Sequence, residues 1–484
     1  MTIVLPELEA QLARDLELTR FAAPGWTRPR TLEGADVYDV AVVGGGQSGL
    51  ATAFGLRREG VHNVIVLDEN DTGSEGPWPT YARMITLRTP KELTPIDFGV
   101  PSLTFRAWYE AQHGAQGWAK LDKIPRGEWM DYLRWYRHVL DLPVRNHARV
   151  TRIEPLPGAM FRLTLADGAT LTARKVVLAT GIQGGGEWHT PAFIKDKLPR
   201  HLYAHTSEPI DFAALKGKRI AVLGGGASAF DNANHALTQG VAAAEVFIRR
   251  KELPRVNPIR FMEKVGLAAR YPALDDADKY RAMACFLGHN QPPTNDTFER
   301  AAAWPGFDLH LGSPWLDVAP VNDGTQAKVT TPKGDFIFDF LVLSTGLVSD
   351  PALRPELAGV AAAIARWADR VPVPDHCDTR QGIRDQIAAH PYLGPAFEFL
   401  PITPDLADQV HGLFAFNYSA LLSLGLSASA LSGLQQALPK LTAGIADQLF
   451  MDDKTANLAA FMGYADHEFV GVWPRASKVA GAAA

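Results

Sequence analysis

Cysteine is scarce in this sequence of 484 residues, which contains only Cys285 and Cys377, far apart in the chain. So few cysteines exclude a disulfide framework and any CxxC pair. Cys377 stands in a short cluster with Asp375, His376 and Asp378. Structural zinc sites usually take four ligands from paired short spacings, and the cluster does not offer them. We therefore predict no metal site.

The sequence also shows no signal-peptide pattern at its start, no basic excess and no clear membrane span, and we expect none of these features to act. Its N-terminus alternates acidic and apolar residues, and it has neither a basic start nor an apolar stretch of signal-peptide length. Residues 413–438 carry no charge, but their amides and five serines favour a helix buried against a cofactor over a membrane helix. The net charge of -5 does not indicate capture of nucleic acid or of an anionic membrane. We predict a cytoplasmic protein with small-molecule partners, and homo-oligomer formation is left open.

Length and composition indicate a globular chain with more than one domain. Single hydrophobic cores stop growing at roughly 250 to 300 residues, so a chain of this length predicts two domains or three. The hydrophobic content of 46% and the charged content of 21% are those of average globular proteins. Extensive disorder is therefore not expected.

A strand, a glycine-rich turn, a helix and a second strand follow one another twice in the chain. In the first copy the apolar run 37–43 leads into the turn 44–49 (GGGQSG), and the strand 63–67 ends at Asp68. The glycines permit a tight turn, close approach of the backbone to a pyrophosphate, and packing of helix on strand. A carboxylate at this place accepts hydrogen bonds from the adenosine ribose of FAD or NAD. The predicted cofactor-binding residues of this copy are Gly44, Gly46, Gln47, Ser48, Gly49 and Asp68.

The second copy ends in cations instead of a carboxylate. Residues 219–223 lead into the turn 224–229 (GGGASA), and the strand 245–248 ends at Arg249 and Arg250. The N-terminus of the intervening helix offers free N–H groups and a partial positive charge to phosphates. An arginine pair suits a ribose 2'-phosphate, so this copy favours NADPH over NADH, with a solvated charge run as the alternative. The predicted residues are Gly224, Gly226, Ala227, Ser228, Ala229, Arg249 and Arg250.

Two further apolar strands end alike and suggest how the domains are arranged. Residues 175–179 precede Thr180-Gly181, and residues 340–344 precede Thr345-Gly346. Because these strands flank the second glycine-rich turn, we predict an α/β fold with two Rossmann-like dinucleotide-binding domains, the NADPH domain being inserted into a split FAD domain. The predicted segments are an N-terminal helical extension (1–29), the FAD domain (30–205 and 325–484), and the NADPH domain (206–324) with a helical insertion around 258–305.

Additional motifs support a family resemblance. Gly76-Pro77-Trp78 and Tyr81 are followed by residues 87–92 (LRTPKE), and His205-Thr206 and residues 343–346 (LSTG) occur later. Together with the two turns, these motifs resemble the class B flavin-dependent monooxygenases, which include flavin-containing, N-hydroxylating and Baeyer-Villiger enzymes. The resemblance covers most of the chain. It implies that Trp78 and Tyr81 lie along the flavin, that His205 is the linker histidine, and that Thr345 and Gly346 form a late turn at the cofactor.

The resemblance also implies a reaction that uses FAD, NADPH, O2 and a small-molecule substrate. NADPH would reduce the flavin, O2 would add at flavin C4a, and the hydroperoxide would transfer oxygen to the substrate. The protein would hold the cofactors edge to edge and keep the site dry. Arg83, Arg88 and Lys91 are catalytic candidates for binding NADP+, stabilising the peroxide or holding a substrate carboxylate, with surface salt bridging as the alternative. His205 is the fourth candidate and would position the nicotinamide.

Departures from the family patterns bear on the type of oxygenation. Thr89 meets Pro90 directly, where the flavin-containing type usually has an intervening asparagine. The Baeyer-Villiger signature lacks its glycine before His205 and its tryptophan at position 209, which is Pro209. Together with the cationic candidates, these departures favour N-hydroxylation of a small amine or amino acid. Baeyer-Villiger or sulfur oxygenation is the alternative.

Other flavoprotein classes share the two nucleotide folds. A disulfide reductase needs a redox cysteine pair near the flavin, and the first cysteine here is Cys285. An NADPH oxidase or dehydrogenase remains an alternative enzyme class, and a flavin-bound sensor without catalysis is another. Reaction of the reduced protein with O2 separates these classes.

Overall fold

The computed structural model describes residues 4–93, 96–375, 377, 379–469 and 471 of the chain. The strands of these residues are β1 (Arg30–Leu32), β2 (Ala35–Val43), β3 (Val64–Leu67), β4 (Val144–Arg145), β5 (Val150–Leu156), β6 (Met160–Leu165), β7 (Thr170–Leu178), β8 (Glu187–Trp188), β9 (Tyr203–His205), β10 (Arg219–Leu223), β11 (Ala243–Ile248), β12 (Phe307–Leu311), β13 (Asp317–Val321), β14 (Gln326–Thr331), β15 (Gly334–Phe338), β16 (Phe340–Leu343), β17 (Leu347–Val348) and β18 (Leu413–Phe414).

The α-helices of the same residues are α1 (Leu5–Leu18), α2 (Gln47–Arg58), α3 (Phe105–Lys120), α4 (Arg126–Val139), α5 (Ala192–Lys195), α6 (Ala227–Thr238), α7 (Pro258–Met262), α8 (Val265–Arg270), α9 (Asp276–His289), α10 (Asn295–Ala302), α11 (Trp367–Arg370), α12 (Gln381–Ala389), α13 (Ala407–Val410), α14 (Leu421–Leu424), α15 (Leu434–Asp452) and α16 (Lys454–Met462). Helices α7 to α10 occupy the segment predicted to be a helical insertion.

The first large sheet is built around β2. Its strand order is β4-β3-β2-β7-β6-β5, and β1 and β18 pair with β2 and β7. The strands β3, β2, β7 and β18 run parallel, while β5 and β6 add an antiparallel edge. Val40, Ala41 and Val42 are fully buried, as expected of a parallel strand that is covered on both faces. The helix α2, which follows β2, is buried continuously from Ser48 to Leu56 and forms the centre of this domain.

The second large sheet contains five parallel strands. Its order is β12-β11-β10-β16-β9, with β10 and the helix α6 forming the second strand-turn-helix unit. Strands β13, β14 and β15 form a separate antiparallel sheet that leads directly into β16. The predicted pair of dinucleotide-binding folds is therefore present.

The strand pairing corrects the predicted boundary at which the chain returns to the FAD domain. We placed this boundary at residue 325, but β16 lies in the second sheet, where Val342 is paired with Val222 and with Ala204. The strand β9, which ends at His205, lies on the edge of the same sheet. The sequence does not reveal that β16 belongs to the second sheet, because β16 is followed by Thr-Gly just as β7 is. The second fold thus extends from β9 to β16.

The uncharged segment 413–438 is also different from the prediction. It forms β18, short helical turns that include α14, and the first part of α15, not one helix. Gly425 adopts a φ of +72° at the end of α14, a backbone conformation that favours glycine and does not continue the helix. Among the helices of the described residues, none is both long and apolar enough to cross a membrane.

Candidate active site

The first glycine-rich turn has steric requirements that only glycine satisfies. Gly44 has a φ of +107°, and a Cβ atom there would lie 2.5 Å from the carbonyl oxygen of Ala179, at the end of β7. A Cβ atom on Gly49 would lie 1.8 Å from the carbonyl oxygen of Gly44. The turn therefore brings β2, β7 and the start of α2 into direct backbone contact. Side chains at these two positions would push the elements apart.

Asp68 is held against this turn. One of its carboxylate oxygens accepts a hydrogen bond of 2.7 Å from the backbone N–H of Gly45, and the other accepts from the backbone and side chain of Asn70. The side chain is buried, and this burial raises the pKa of Asp68, which the three hydrogen bonds oppose. The carboxylate is thereby fixed beside the N-terminus of α2. Each oxygen keeps acceptor capacity for a ribose hydroxyl.

The N-terminus of α2 lacks a side-chain cap. Gly46 is the N-cap residue, and no side chain accepts from the first N–H groups of the helix. Gln47 is oriented from the other side, because its amide oxygen accepts a 3.0 Å hydrogen bond from the indole of Trp129. Uncapped N–H groups at a glycine turn are the arrangement that binds a pyrophosphate. Residues 44–49 and Asp68 thus fit the adenosine and diphosphate groups of a dinucleotide.

The second glycine-rich turn repeats this geometry with one more open position. Gly224 has a φ of +137°, and a Cβ atom there would lie 2.2 Å from the carbonyl oxygen of Ser344. A Cβ atom on Gly226 would meet no protein atom within 4 Å. Gly226 is also the N-cap of α6, again without a side-chain cap. The space beside Gly226 and the free N–H groups that follow it fit a second diphosphate.

Each fold therefore has its own Thr-Gly turn against its first glycine. Thr180-Gly181 follows the strand that contacts Gly44, whereas Thr345-Gly346 follows the strand that contacts Gly224. We had assigned both turns to the FAD domain. In the structure the hydroxyl of Thr345 donates to the carbonyl oxygen of His189, and Gly346 has a φ of +86°. The later turn thus belongs beside the second nucleotide site.

The cations at the end of β11 form a cluster with a third arginine. Arg249 is exposed, and Arg250 donates to the carbonyl oxygens of His289 and Gly288 at 3.4 and 3.3 Å. Arg380 donates to the same Gly288 oxygen at 3.4 Å. Burial and the neighbouring charges of Arg380 and Arg249 lower the pKa of Arg250. A phosphate dianion would relieve this repulsion, which is the environment expected for a 2'-phosphate.

Arg83, predicted as a catalytic candidate, is engaged by backbone carbonyls. Its guanidinium donates to the carbonyl oxygens of Thr206 and Glu208 at 3.0 Å each, and to that of Tyr81. It also lies over the ring of Phe212 at 5.5 Å. Burial lowers the pKa of Arg83 to about 10. The side chain joins the flavin-side segment to the linker between the folds, and these contacts leave it a positioning role.

Arg88 and Lys91 are engaged in a similar way. Arg88 forms an ion pair with Asp231 on α6. Lys91 donates to the carbonyl oxygens of Trp118 and Leu121 at 2.8 and 2.6 Å, and thereby caps the end of α3. The structure shows protein contacts for these cations, and their role towards NADP+, a peroxide or a substrate carboxylate stays a prediction. Their partners lie in distant parts of the sequence. The sequence alone therefore predicts a cluster of free cations in this segment.

Comparison with known proteins identifies the family. A sequence profile of the pyridine nucleotide-disulphide oxidoreductases matches residues 41–259. An FAD-dependent urate hydroxylase of Xanthomonas campestris pv. campestris is 61% identical over 476 residues, which are 98% of this chain and 99% of that protein. The chain belongs to the class B flavin-dependent monooxygenases. This confirms the predicted enzyme class and fold class. The urate hydroxylase is named as FAD-dependent, and an ornithine N-hydroxylase of Kutzneria sp. 744, which aligns with a TM-score of 0.64 at 17% identity over 85% of this chain and 99% of its own, was solved with reduced FAD and NADP+.

Solved structures of other monooxygenases share the fold. An ornithine hydroxylase of Pseudomonas aeruginosa aligns with a TM-score of 0.66 at 19% identity and covers 85% of this chain and 100% of its own. A flavin monooxygenase of Stenotrophomonas maltophilia, in a mutant form, aligns with a TM-score of 0.54 at 18% identity over 84% of this chain and 98% of its own. At these identities the comparison establishes the common architecture.

The flavin-side residues of the monooxygenase contain an unused donor. The indole N–H of Trp78 is buried and has no hydrogen-bond partner among the described residues. Burial raises the pKa of Tyr81 to about 12, so its hydroxyl stays protonated. A buried donor without a partner costs free energy in the protein alone, and a cofactor with acceptor atoms compensates for it. Trp78 and the first glycine-rich turn therefore fit bound FAD.

His205 is neutral and directs one nitrogen away from its protein contacts. Its ring stacks on Trp188 with centroids 5.0 Å apart, and its Nδ1 accepts from the backbone N–H of Ser207 at 3.2 Å. The proton is then on Nε2, which is buried without a partner among the described residues. Burial lowers the pKa of His205 to about 4. The imidazole can therefore donate one hydrogen bond to a bound ligand without carrying charge.

We expect His205 to make the protein less stable in acid. Between its ordinary pKa of 6.5 and its folded-state value of about 4, the unfolded chain binds a proton that the folded chain excludes. The free energy of unfolding should thus fall by up to about 3 kcal/mol as the pH falls through this range. Urea unfolding of the wild type and of His205→Asn at several pH values measures the difference. An identical acid dependence in both proteins would contradict the assignment.

Asn417 connects the C-terminal segment to the first fold and was not among the predicted site residues. Its side-chain N–H groups donate to the hydroxyl of Thr180 and the carbonyl oxygen of Gly184, both at 3.3 Å. Its amide oxygen accepts from the backbone and hydroxyl of Ser419. The uncharged surroundings of Asn417 were visible in the sequence, but its partners were not. It fixes the turn after β7 that lies against Gly44.

Metal binding has little support in the described residues. Of the cluster at 375–378, His376 and Asp378 lie outside the described residues. Glu245, Asp308 and His310 bring possible ligand atoms within 4.8 Å of one another. However, Glu245 pairs with Arg219 at 2.8 Å and with His310 at 2.9 Å, so its charge is already balanced. These groups are explained as a surface ion-pair network on β10, β11 and β12.

Proposed function

We propose that this monooxygenase hydroxylates urate or a closely related purine, with FAD in the first fold and NADPH in the second. The observation that carries this proposal is the identity of 61% with a urate hydroxylase over 98% of the chain. An alignment of that extent includes both nucleotide folds and the helices α7 to α10 between them. The alignment thus spans every part of the chain that could surround a substrate.

The contacts of the cationic residues weaken the earlier preference for an amino-acid substrate. That preference rested on the incomplete Baeyer-Villiger signature and on a cluster of cations, and Arg83, Arg88 and Lys91 each contact other groups of the protein. The ornithine hydroxylase shares the fold at 19% identity, which supports no choice of substrate. N-hydroxylation of an amine or amino acid is the second candidate, followed by Baeyer-Villiger and sulfur oxygenation. The cytoplasmic location and the oligomeric state stay predictions.

The residues divide the work of binding the cofactors. We assign the FAD diphosphate to the N–H groups that follow Gly46 and its adenosine ribose to Asp68, while Trp78 donates to the flavin side. Gly226 and the start of α6 would hold the NADPH diphosphate, and Arg249 and Arg250 would hold its 2'-phosphate. Bound FAD would accept electrons from NADPH. Once reduced, it would activate O2 so that one oxygen atom can be transferred.

Other residues orient the reactants and exclude water. The neutral imidazole of His205, stacked on Trp188, has no partner for Nε2 among the described residues and can donate from it to a bound reactant. The helices α8 and α9 are fastened to the C-terminal segment through Tyr271, whose hydroxyl donates to the carbonyl oxygen of Leu422 at 3.0 Å. Tyr271 belongs to a buried apolar cluster that includes Met283, Trp367 and other side chains. We infer that this cluster closes the site against water, which favours oxygen transfer over loss of peroxide.

A substrate panel tests the proposal. Urate should stimulate oxidation of NADPH by the FAD-loaded protein and should yield a product that is heavier by one oxygen atom. Xanthine, ornithine, lysine, a sulfide and a cyclic ketone serve as competitors, and the position of the added oxygen is assigned by mass spectrometry. Stimulation by ornithine or lysine with formation of a hydroxylamine, and none by urate, would overturn the proposed substrate class. An ester or lactone from the ketone would favour Baeyer-Villiger chemistry.

The arginine cluster leads to a prediction about the coenzyme. Arg249→Ala should raise the KM for NADPH about tenfold or more and leave that for NADH nearly unchanged, because a charge-assisted hydrogen bond is worth roughly 1.5–3 kcal/mol. Lys251→Ala removes the same charge two positions along the chain and is the matched control. Steady-state kinetics with both coenzymes measure the effect. Equal losses in the two variants would support a solvated charge run instead of a phosphate site.

A further inference from the structure

The flavin-side segment, defined here as residues 83–91, is fastened to the second fold by an ion pair. The guanidinium of Arg88 contacts the carboxylate of Asp231, and the two residues are 143 positions apart in the chain. Asp231 has 7% of its side chain exposed and Arg88 has 23%. The pair is therefore largely shielded from solvent. Asp231 lies in the second turn of α6, the helix that begins at the nucleotide-binding turn.

Two further contacts hold the same segment. Arg83 donates to the carbonyl oxygens of Thr206 and Glu208 in the linker after β9, at 3.0 Å each. Arg260, on α7, donates to the carbonyl oxygen of Arg88 at 2.9 Å. The flavin-side segment is thus fixed by the linker, by the insertion and by α6. Of these three connections, the one to α6 joins it to the helix assigned to the nucleotide.

The carboxylate of Asp231 is surrounded by several arginine side chains. The cations of Arg88, Arg126 and Arg300 all act on this carboxylate. The side chain of Arg126 has no hydrogen bond or ion pair among the described residues. Asp231 is the carboxylate that faces all three cations. Loss of this carboxylate would leave repelling cations between the two folds. Asp231 is therefore the carboxylate that offsets these cations at the junction, beside the contacts made by Arg83 and Arg260.

We propose that the pair of Asp231 and Arg88 is a positioning device that sets the distance between the two cofactors for electron transfer. The proposal rests on the assignment of FAD to the first fold and NADPH to the second. In this step NADPH gives up a hydride and becomes NADP+, and oxidised FAD takes up the two electrons with that hydride. Neither residue touches the reacting atoms. A displacement of about 1 Å between reacting groups can reduce a rate roughly a hundredfold. A contact that fixes the distance between the cofactors can therefore control the rate of flavin reduction.

Anaerobic stopped-flow reduction of the flavin tests the proposal. Asp231→Asn keeps the shape of the side chain, and it should slow reduction by NADPH at saturation about tenfold or more. Reduction by dithionite, which needs no nucleotide fold, should be unchanged, as should the dissociation constant for NADP+. Asp131→Asn removes a carboxylate from the exposed pair with Arg134 and is the matched control. A rate for Asp231→Asn within twofold of the wild-type rate would overturn the proposal.

Hydrogen exchange provides a second readout that does not depend on activity. In the protein without NADPH, Asp231→Asn should increase amide exchange in residues 83–91, and Arg88→Gln should do the same. Arg88→Gln also serves if Asp231→Asn fails to fold, because it leaves the carboxylate among its other cations. Slow reduction with unchanged exchange in residues 83–91 would refute the positioning role. Failure of the coenzyme assignment would instead appear as an unchanged preference for NADPH in Arg249→Ala, so the two failures are distinguishable.

Discussion

Gly49→Ala is expected to yield a protein that retains no FAD through purification. The added Cβ atom would lie 1.8 Å from the carbonyl oxygen of Gly44, and no side-chain movement relieves a clash with backbone. The start of α2 would have to move away from β2, and its N–H groups would leave the diphosphate position. The ratio of flavin to protein absorbance measures retention of the cofactor.

Two alanine substitutions separate this effect from a general loss of helix stability or folding. Gly127→Ala on α4 adds a methyl group that meets no atom within 4 Å and should retain FAD. Gly226→Ala should also retain FAD, because its methyl group meets no protein atom, but it should bind NADPH weakly since the group occupies the diphosphate space. Stoichiometric FAD in Gly49→Ala would show that the first turn does not determine flavin binding.

Arg174→Met is expected to destabilise the first domain by about 3–5 kcal/mol, because it removes one partner from a buried network. Arg174 is 3% exposed and pairs with Asp453 at 2.9 Å and with Asp39 at 3.3 Å. Next to it, the fully buried Lys175 pairs with Asp452 at 2.7 Å. These contacts attach the end of α15 to the sheet. Asp39 would keep its desolvation cost without the compensating charge of Arg174, and Asp453 would retain, among the described residues, only its ion pair with Arg30.

Urea unfolding followed by far-UV circular dichroism measures the free energy of unfolding of this variant. Arg106→Met removes the exposed partner of Glu110 on α3 and is the matched control, for which a loss below about 1 kcal/mol is expected. A loss equally small in Arg174→Met would contradict the structural importance of the network. The unfolding curves must be compared at the same FAD occupancy, since bound cofactor adds to stability.

The two nucleotide folds could be predicted because their requirements are local. A tight turn, a close backbone contact and an uncapped helix start fall within six residues, as at 44–49 and 224–229. The ends of the second strands were equally informative. Asp68 is held beside the first turn by the N–H of Gly45, and Arg249 and Arg250 end β11 as a cationic pair.

The roles of the basic residues could not be predicted because they depend on distant partners. Arg88 is paired with a carboxylate 143 positions away, and Arg83 contacts carbonyl oxygens more than a hundred positions away. The order of strands had the same limitation. β7 and β16 are each followed closely by Thr-Gly, and the pairing of β16 with β10 joins Phe340 to Ile220, which are far apart in the sequence. Arg380 and Arg250 both donate to the carbonyl oxygen of Gly288. No pattern in the sequence predicts that these two arginines lie close together.

Labelling with 18O2 tests most directly whether the protein is a monooxygenase that acts on urate. The FAD-loaded protein is supplied with NADPH and urate under 18O2, and the product is analysed by mass spectrometry immediately after mixing. We predict one 18O atom in each molecule of hydroxylated product and one NADPH oxidised for each. Oxidation of NADPH that yields hydrogen peroxide and unmodified urate, or a product whose oxygen comes from water, would contradict this function.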